Sequence, residues 1–371
     1  MKEIRPLFNL NHLAIEIKKF PTTRYQGSKR KIIPWLYNQI RDLEFETVLD
    51  AFGGSSTVSY LFKMMGKSVT YNDNLRFNYL IGKALIENSK VTLNKNDLDT
   101  ILQLTVNENF KIVQQHFKDI YYFPSENKWI DDRISAIYNL NSYPENILEY
   151  KKSLAYYALI QSCLIKRPFN LFHRKNLQLR KNKVDRTFGN YKTWNRRFDS
   201  YFKRFTIEAN KAVFDTGKAC FATNESVFEI NNLDYDMVYL DPPYFRNNSD
   251  NETSYYSETY HFLEGLSNYK NWEGLIDINT INKRFKTQID FNNFGSEKIN
   301  DSFESLFDKF KKSKILVSYK KGGVPSIGTL VKLMKKFKHR VYTRSIHYKY
   351  ALNHQNGNAS KNREVLIIGT N

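Results

Sequence analysis

The sequence predicts an α/β fold, a largely parallel sheet interrupted by an inserted, mainly helical, basic segment. Three observations carry this reading. Strand and helix patterns alternate to about Asn88, strand signals become few between Val91 and Lys218, and the strand pattern then resumes from Met237 to Thr370. Strand, turn, helix, strand, helix is the order of βαβ units in a parallel sheet.

Each element has a local reason. "TVLDAF" (47–52) is a short apolar run with a polar exit, which suits a buried strand. "TVSYLFKMM" continues as a helix that Gly66 can end, because glycine takes the left-handed cap conformation without steric penalty. "SVTYND" (68–73) is a second strand and "NYLIGKALIEN" a second helix. The later strands are "MVYL", "KILVSY" (314–319), "RVYTRSIHY" (340–348) and "EVLIIGT" (364–370). The 371 residues suffice for one large domain or two modest ones.

Composition narrows the function classes. Hydrophobic residues make up 41% of the chain and aromatics 15%, which excludes a disordered tail. Lys and Arg number 57 against 38 Asp and Glu, a net charge of +19 that suggests a polyanionic partner, nucleic acid above all. A lysine-rich soluble surface would give the same excess. The excess is concentrated, however: Lys166 to Arg204 holds thirteen Lys or Arg and two Asp, with aromatic residues interleaved from Phe169 to Phe202. Cys163 and Cys220 cannot build a disulfide framework, and the seven histidines show neither HxH nor HExxH spacing, so no metal is expected. No apolar stretch approaches the length of a membrane span, and no signal-peptide core is present. The expected location is the cytoplasm, with no membrane partner.

"MVYLDPPYFRNNSD" (237–250) is the most informative stretch. Four apolar residues suit a central parallel strand, and Pro242 and Pro243 must end it because neither can donate to a ladder. Asp241 then stands at the carboxyl end of a strand, where open α/β sheets bind ligands. A carboxylate, proline carbonyls and the Tyr244 ring together suit an exocyclic amine on a planar base, with acceptors for its N–H groups and a face for stacking. An Asp241 that caps a helix or pairs a lysine would fit the same four letters. In "LDAFGGSST" (49–57), Gly53 and Gly54 allow a tight turn close to a ligand, and Ser55 or Ser56 can start the next helix. Asp73, at the end of the second strand, is placed to accept hydrogen bonds from a ribose. The loop lacks the GK[ST] ending of a phosphate-binding P-loop. Taken together, the loop and the acid point to an adenosine site, whereas a lone Gly-Gly would be a plain turn.

The ordered set Arg24-Tyr25-Gln26-Gly27-Ser28-Lys29, Asp50-Ala51-Phe52-Gly53-Gly54-Ser55, Asp73 and Asp241-Pro242-Pro243-Tyr244 resembles the alpha group of DNA adenine-N6 methyltransferases, the Dam type. The resemblance covers most of the chain. It implies a Rossmann-like methyltransferase sheet from residues 1–90 and 219–371, with a target-recognition subdomain inserted at 91–218. It also implies S-adenosylmethionine as cofactor, bound by Tyr25, Lys29, Asp50, Phe52, Gly53, Gly54, Ser55, Asp73 and Asp241, with Asn224 in "ATNESVFEI" as the next contact. Asp241, Pro242, Pro243 and Tyr244 would act on N6 of an adenine flipped out of duplex DNA. Ser56 stands where the family pattern has its last glycine, so a left-handed backbone there is in question. Arg246 to Tyr255 is either a loop that orders over the flipped base or an ordinary polar loop. For DNA contact the insert offers Arg167, His173, Arg174, Lys175, Arg180 and Trp194, although charge runs are often only solvated faces. The setting implied is bacterial restriction–modification, with a cognate endonuclease acting as a separate protein. Cytosine-N4, RNA or glutamine methylation on the same fold, or a catalytically silent DNA-binding module, are the alternatives. Asp241 argues for adenine, and the intact cofactor loop argues against a silent module.

Overall fold

Strand β1 (Thr47–Asp50) lies at the centre of a sheet completed by β2 (Ser68–Asn72), β3 (Phe221–Thr223), β4 (Met237–Leu240), β5 (Lys314–Lys320), β6 (Arg340–His347) and β7 (Arg363–Thr370). The computed structural model describes residues 20–22, 24–25, 27–103, 109–182, 190–243, 256–286, 298–347 and 363–371. Strand order is β3-β2-β1-β4-β5-β7-β6. The first five pair in parallel, and β7 runs antiparallel between β5 and β6. The sequence-predicted strands are present. β3 was not anticipated from its residues, being three residues long and partly exposed, too short for a periodic signal.

The pleat explains why the central strands are apolar throughout. Val48, Met237 and Tyr239 face one core, while Leu49, Val238 and Leu240 face another. The first core is covered by α1 (Ile33–Ile40), α2 (Thr57–Met64) and α3 (Arg76–Gly82), the last continued by a π turn over Lys83–Glu87. Helix α2 ends as its sequence suggests: Gly66 has φ +75°, its N–H reaches Lys63 O and the N–H of Lys67 reaches Phe62 O.

Residues between β2 and β3 form helices α4 (Lys95–Gln103), α5 (Ile112–His116), α6 (Pro124–Tyr138), α7 (Glu145–Ile165), α8 (Gln178–Lys181), α9 (Asn190–Asn195) and α10 (Phe198–Ala212). Helix α7 is buried on every side from Ser153 to Ile165 and packs against α3 and α10. Its Leu154 and Tyr157 join Phe62 of α2 and Tyr71 of β2 in one apolar cluster, so the helical segment shares the main core. After β4 come α11 (Tyr256–Ser267) and α12 (Tyr269–Leu275) on that side, then α13 (Ile299–Lys309) and α14 (Ile327–Met334) over the second core. None of the described helices is long and apolar enough to cross a membrane.

Tyr71 locks the cofactor-side loop to α3. Its ring fills the space beside Gly53 and Gly82, and a Cβ on either would stand 2.1 or 2.3 Å from a ring carbon. Its hydroxyl donates to Gly54 O at 2.9 Å and Asn78 O at 3.0 Å, so the ring cannot swing away. Gly82→Ala is therefore expected to destabilise the fold. Overpacking costs about 1–3 kcal/mol, which outweighs the ~1 kcal/mol that alanine gains over glycine in a helix. Denaturant unfolding of the variant checks this, and an unchanged midpoint would mean the ring relaxes freely.

Candidate active site

Chain order reverses direction between β1 and β4, so the connections leaving their carboxyl ends run to opposite sides and leave a crevice. A cavity of about 980 Å³, counting space open to solvent, occupies it. Tyr25, Lys29, Asp50, Phe52, Gly53, Gly54, Ser55, Asp73, Asp241, Pro242 and Pro243 all line this cavity. Residues separated by most of the chain are thus brought to one place.

The loop after β1 is shaped by its backbone. Gly54 has φ +47° and Ser56 φ +58°, so Ser56 occupies the left-handed conformation that the glycine of the family pattern would provide. Ser56 N donates to Gly53 O and Ser56 O accepts from Tyr60 N, which closes the turn and starts α2. Gly54 N donates to Asp73 Oδ2 at 2.8 Å and Leu75 N to Asp73 Oδ1 at 2.8 Å. Asn72, which sequence reasoning passed over, ties three strand ends together. Its amide donates to Ala51 O and Glu225 O, and its Oδ1 accepts from Thr223 Oγ1 and Glu225 N. Its only sequence signal was its place directly before Asp73.

Tyr25 stacks on Tyr260 of α11 with ring centroids 4.9 Å apart. Lys29, itself 3% exposed, reaches Asp241 at 2.8 Å to Oδ1 and 2.7 Å to Oδ2. Asp241 therefore pairs a lysine and lines a ligand cavity at once. Asn224 is placed differently from the sequence expectation: it is exposed, does not line the cavity, and donates to Asp73 O at 2.7 Å. Its neighbours Ser226, Val227 and Phe228 line the cavity instead. Tyr244 and the Arg246–Tyr255 loop lie outside the described residues.

The cavity is electronegative. Burial pushes Asp50 up to about 7, aided by the charges of Asp241 and Asp73 and opposed by the Ser59 hydroxyl. Burial likewise pushes Asp73 up to about 6 against the N–H groups of Leu75 and Gly54. Ser59 satisfies Asp50 Oδ2 at 2.6 Å, while Oδ1 is buried with no hydrogen-bond partner in the protein. Three carboxylates and an orphan acceptor around one cavity suit a cationic ligand that also carries hydroxyl or amino donors. Among the described residues, no cluster of His, Cys, Asp or Glu could hold a metal.

The family model for D12 class N6 adenine-specific DNA methyltransferases matches residues 25–317. The chain belongs to this family. It is also similar to the type II methyltransferase M2.HphI of Haemophilus parahaemolyticus, 27% identical over 360 residues that cover 95% of this chain and 98% of that protein. A second relative is the modification methylase LlaI of Lactococcus lactis subsp. lactis, 25% identical over 324 residues. That match covers 85% of this chain and 49% of the methylase, so the chain spans about half of that relative's length. As a D12 class methyltransferase, the protein transfers a methyl group from S-adenosylmethionine to adenine N6 in DNA. The cavity fits that cofactor. Its sulfonium is a cation, its ribose and amino groups are donors, and the lining offers carboxylates, a glycine loop and the apolar walls of Phe52, Val227 and Phe228.

Within the helical segment of this methyltransferase, the six DNA-contact candidates separate into two groups. Arg167 is 1% exposed, and its guanidinium bonds Leu171 O and Arg174 O over the Tyr121 ring. Arg180 is 5% exposed and grips Glu126 through two 2.7 Å bonds. Trp194 is buried too, and its carbonyl accepts from Lys166 and Arg180. The expectation of DNA contact is corrected for these three, since their side chains are buried inside the protein. His173, Arg174 and Lys175 are exposed on one turn before α8.

Two outcomes are expected. Burial alone would raise Glu126, yet Arg180 and Lys166 outweigh it and hold it below the usual range. Arg180→Ala should therefore destabilise the protein by about 3 kcal/mol, as in other broken buried pairs, with Lys166 limiting the loss; chemical denaturation checks it. The second concerns pH. Asp50 and Asp73 are protonated below about 7 and about 6 and charged above, so affinity for the sulfonium cofactor should rise several-fold between those conditions. Both values lie above the ordinary ~3.9 of an aspartate, so the free protein loses stability as pH climbs from about 3.9 to those values, and the loss is complete above about 7. Calorimetric titration against pH tests the affinity, with S-adenosylhomocysteine, which lacks the charge, showing a flatter profile. Equal profiles would mean that these acids do not sense the sulfonium.

Proposed function

We propose that the cavity at the ends of β1, β2 and β4 is the methyl-transfer site and that Asp241 and Pro242 receive the amine of an adenine flipped out of duplex DNA. The observation that supports this reading most is the position of Asp241, in one cavity with the glycine loop and Asp73 and held by Lys29. When bound, the cofactor supplies an electrophilic methyl group. Asp73 would accept from its ribose, Gly53 and Gly54 allow close approach, and Phe52, Val227 and Phe228 give apolar walls.

The chain's part in the reaction is positioning and charge stabilisation. Adenine N6 is a poor nucleophile because its lone pair is delocalised into the ring. Accepting its N–H groups at the Asp241 carboxylate and a proline carbonyl favours the pyramidal amine and stabilises positive charge developing on it. Base flipping costs a few kcal/mol of unstacking, and stacking on an aromatic ring such as Tyr244 returns about 1–3 kcal/mol. The helical segment between β2 and β3 would read the target, with His173, Arg174 and Lys175 on phosphates or base edges. A cytoplasmic modification enzyme, paired with a separately acting cognate restriction endonuclease, is the biological setting that fits.

Asp241→Ala should lose detectable N6-methyladenine formation, read by nucleoside mass spectrometry of duplex DNA after incubation with the cofactor. Retained product would sink the assignment. Arg174→Ala and Lys175→Ala should leave thermal stability unchanged and weaken DNA binding. Each is expected to reduce the slope of log K against log salt by about 0.9 if it neutralises one phosphate. An unchanged slope would place the DNA on another face.

A further inference from the structure

Resting on the assignment of Asp241 above, we propose that Glu364 is a positioning residue for methyl transfer. It offers Lys29 a second seat, so that the lysine can release one oxygen of Asp241 to the incoming adenine amine.

The geometry poses the problem that this solves. Lys29 Nζ stands 2.8 and 2.7 Å from the two oxygens of Asp241, so both acceptors face the same ammonium. An adenine N–H needs one of them. A lysine with no other acidic partner would remain on Asp241 and neutralise it. Glu364 Oε1 already forms a looser ion pair with the same Nζ at 3.4 Å, and Gly27 O accepts a long hydrogen bond from it at 3.5 Å. The ammonium has three donors, and acceptors other than Asp241 stand within 3.5 Å of it. A small shift would exchange one Asp241 oxygen for Glu364.

Glu364 is built as a fixed seat. It is fully buried on β7, where its neighbours in register are Lys320 on β5 and Ile346 on β6. Ser318 of β5 donates to Glu364 Oε1 at 2.7 Å, the same oxygen that faces Lys29. Burial of a carboxylate is unfavourable unless it is paired and hydrogen-bonded, and Lys29 and Ser318 fill those roles. Lys29 in turn is held on the short 3₁₀ turn Lys29–Ile32, directly after a glycine turn with φ +87° at Gly27. The trio of Asp241, Lys29 and Glu364 carries one net negative charge, whereas Asp241 with Lys29 alone carries none. That surplus is complementary to positive charge appearing on N6 as the methyl group arrives.

The test is single-turnover methylation of unmethylated duplex genomic DNA with labelled S-adenosylmethionine, together with steady-state kcat and KM and thermal unfolding. Glu364→Gln keeps the shape and removes the charge. It should lower the single-turnover rate constant and kcat roughly 10–100-fold, approaching the 10²-fold that a 1 Å misplacement can cost, with both KM values little changed. Glu364→Asp, which restores the charge on a shorter arm, should recover part of the rate. Ser318→Ala, which loosens the seat without removing it, should give a several-fold loss of the same kind and decides the matter if the Gln variant does not fold. A folded Glu364→Gln or Ser318→Ala protein with wild-type rates overturns the proposal, and so does a loss confined to KM. Asp241→Ala runs in parallel. If it stays active, the assignment of the site itself has failed; if it is inactive while Glu364→Gln is not, only the second seat has.

Discussion

The crevice depends on accommodating three acids, Asp50, Asp73 and Asp241, at neighbouring strand ends, where burial raises the first two well above an ordinary aspartate. Parallel strands deliver their carboxyl ends to one side of a sheet, and here three of those ends or the turns after them carry an acid. Each is balanced by a different device. Asp73 receives two backbone N–H groups from the loop and the turn it joins. Asp50 receives the Ser59 hydroxyl from α2. Asp241 receives an ammonium brought from near the start of the described chain. Removing any one of these would leave a carboxylate without the partner that offsets its burial. The acids also suit a sulfonium cofactor, whose positive charge favours their ionised forms.

Much of the fold was legible because its signals are local. Apolar runs of four to seven residues, glycine at the end of α2 and the Asp-Pro-Pro exit from β4 act within a few residues of themselves. The turn after β1 was legible for the same reason, down to the question at Ser56, which resolves through its φ of +58°. What stayed hidden depends on partners far away in sequence. Glu364 reads as the polar entry to an apolar strand, and nothing near it announces that Lys29 and Ser318 will meet it in the core. Tyr71 reads as one more β-strand aromatic, although its ring sets the limits on Gly53 and Gly82.

The basic segment shows the same limit from the other side. A run of lysines and arginines looks uniform as sequence, because charge at a position does not state exposure. Folding divides it. Lys166, Arg167 and Arg180 turn inward to carbonyls, aromatic faces and Glu126. His173, Arg174 and Lys175, between them in the chain, turn outward. The inward set fixes the turn on which the outward set stands, since Arg167 itself holds the carbonyls of Leu171 and Arg174.

That division links the helical segment to the catalytic side. Tyr121 donates toward Phe172 O at 2.6 Å and Asn282 O at 2.9 Å, and its hydroxyl lies 3.0 Å from Nε2 of the buried His261 in α11. Burial lowers His261 to about 4, so it stays neutral across the working range and holds these contacts without a titration step. Helix α11 also carries Tyr260, which stacks on Tyr25 at the cavity wall. It carries Glu264 as well, whose carboxylate accepts from Arg76 N and Phe77 N at the start of α3. One helix thus touches the exposed basic turn through Phe172, the cavity through Tyr25, and the helix that follows Asp73.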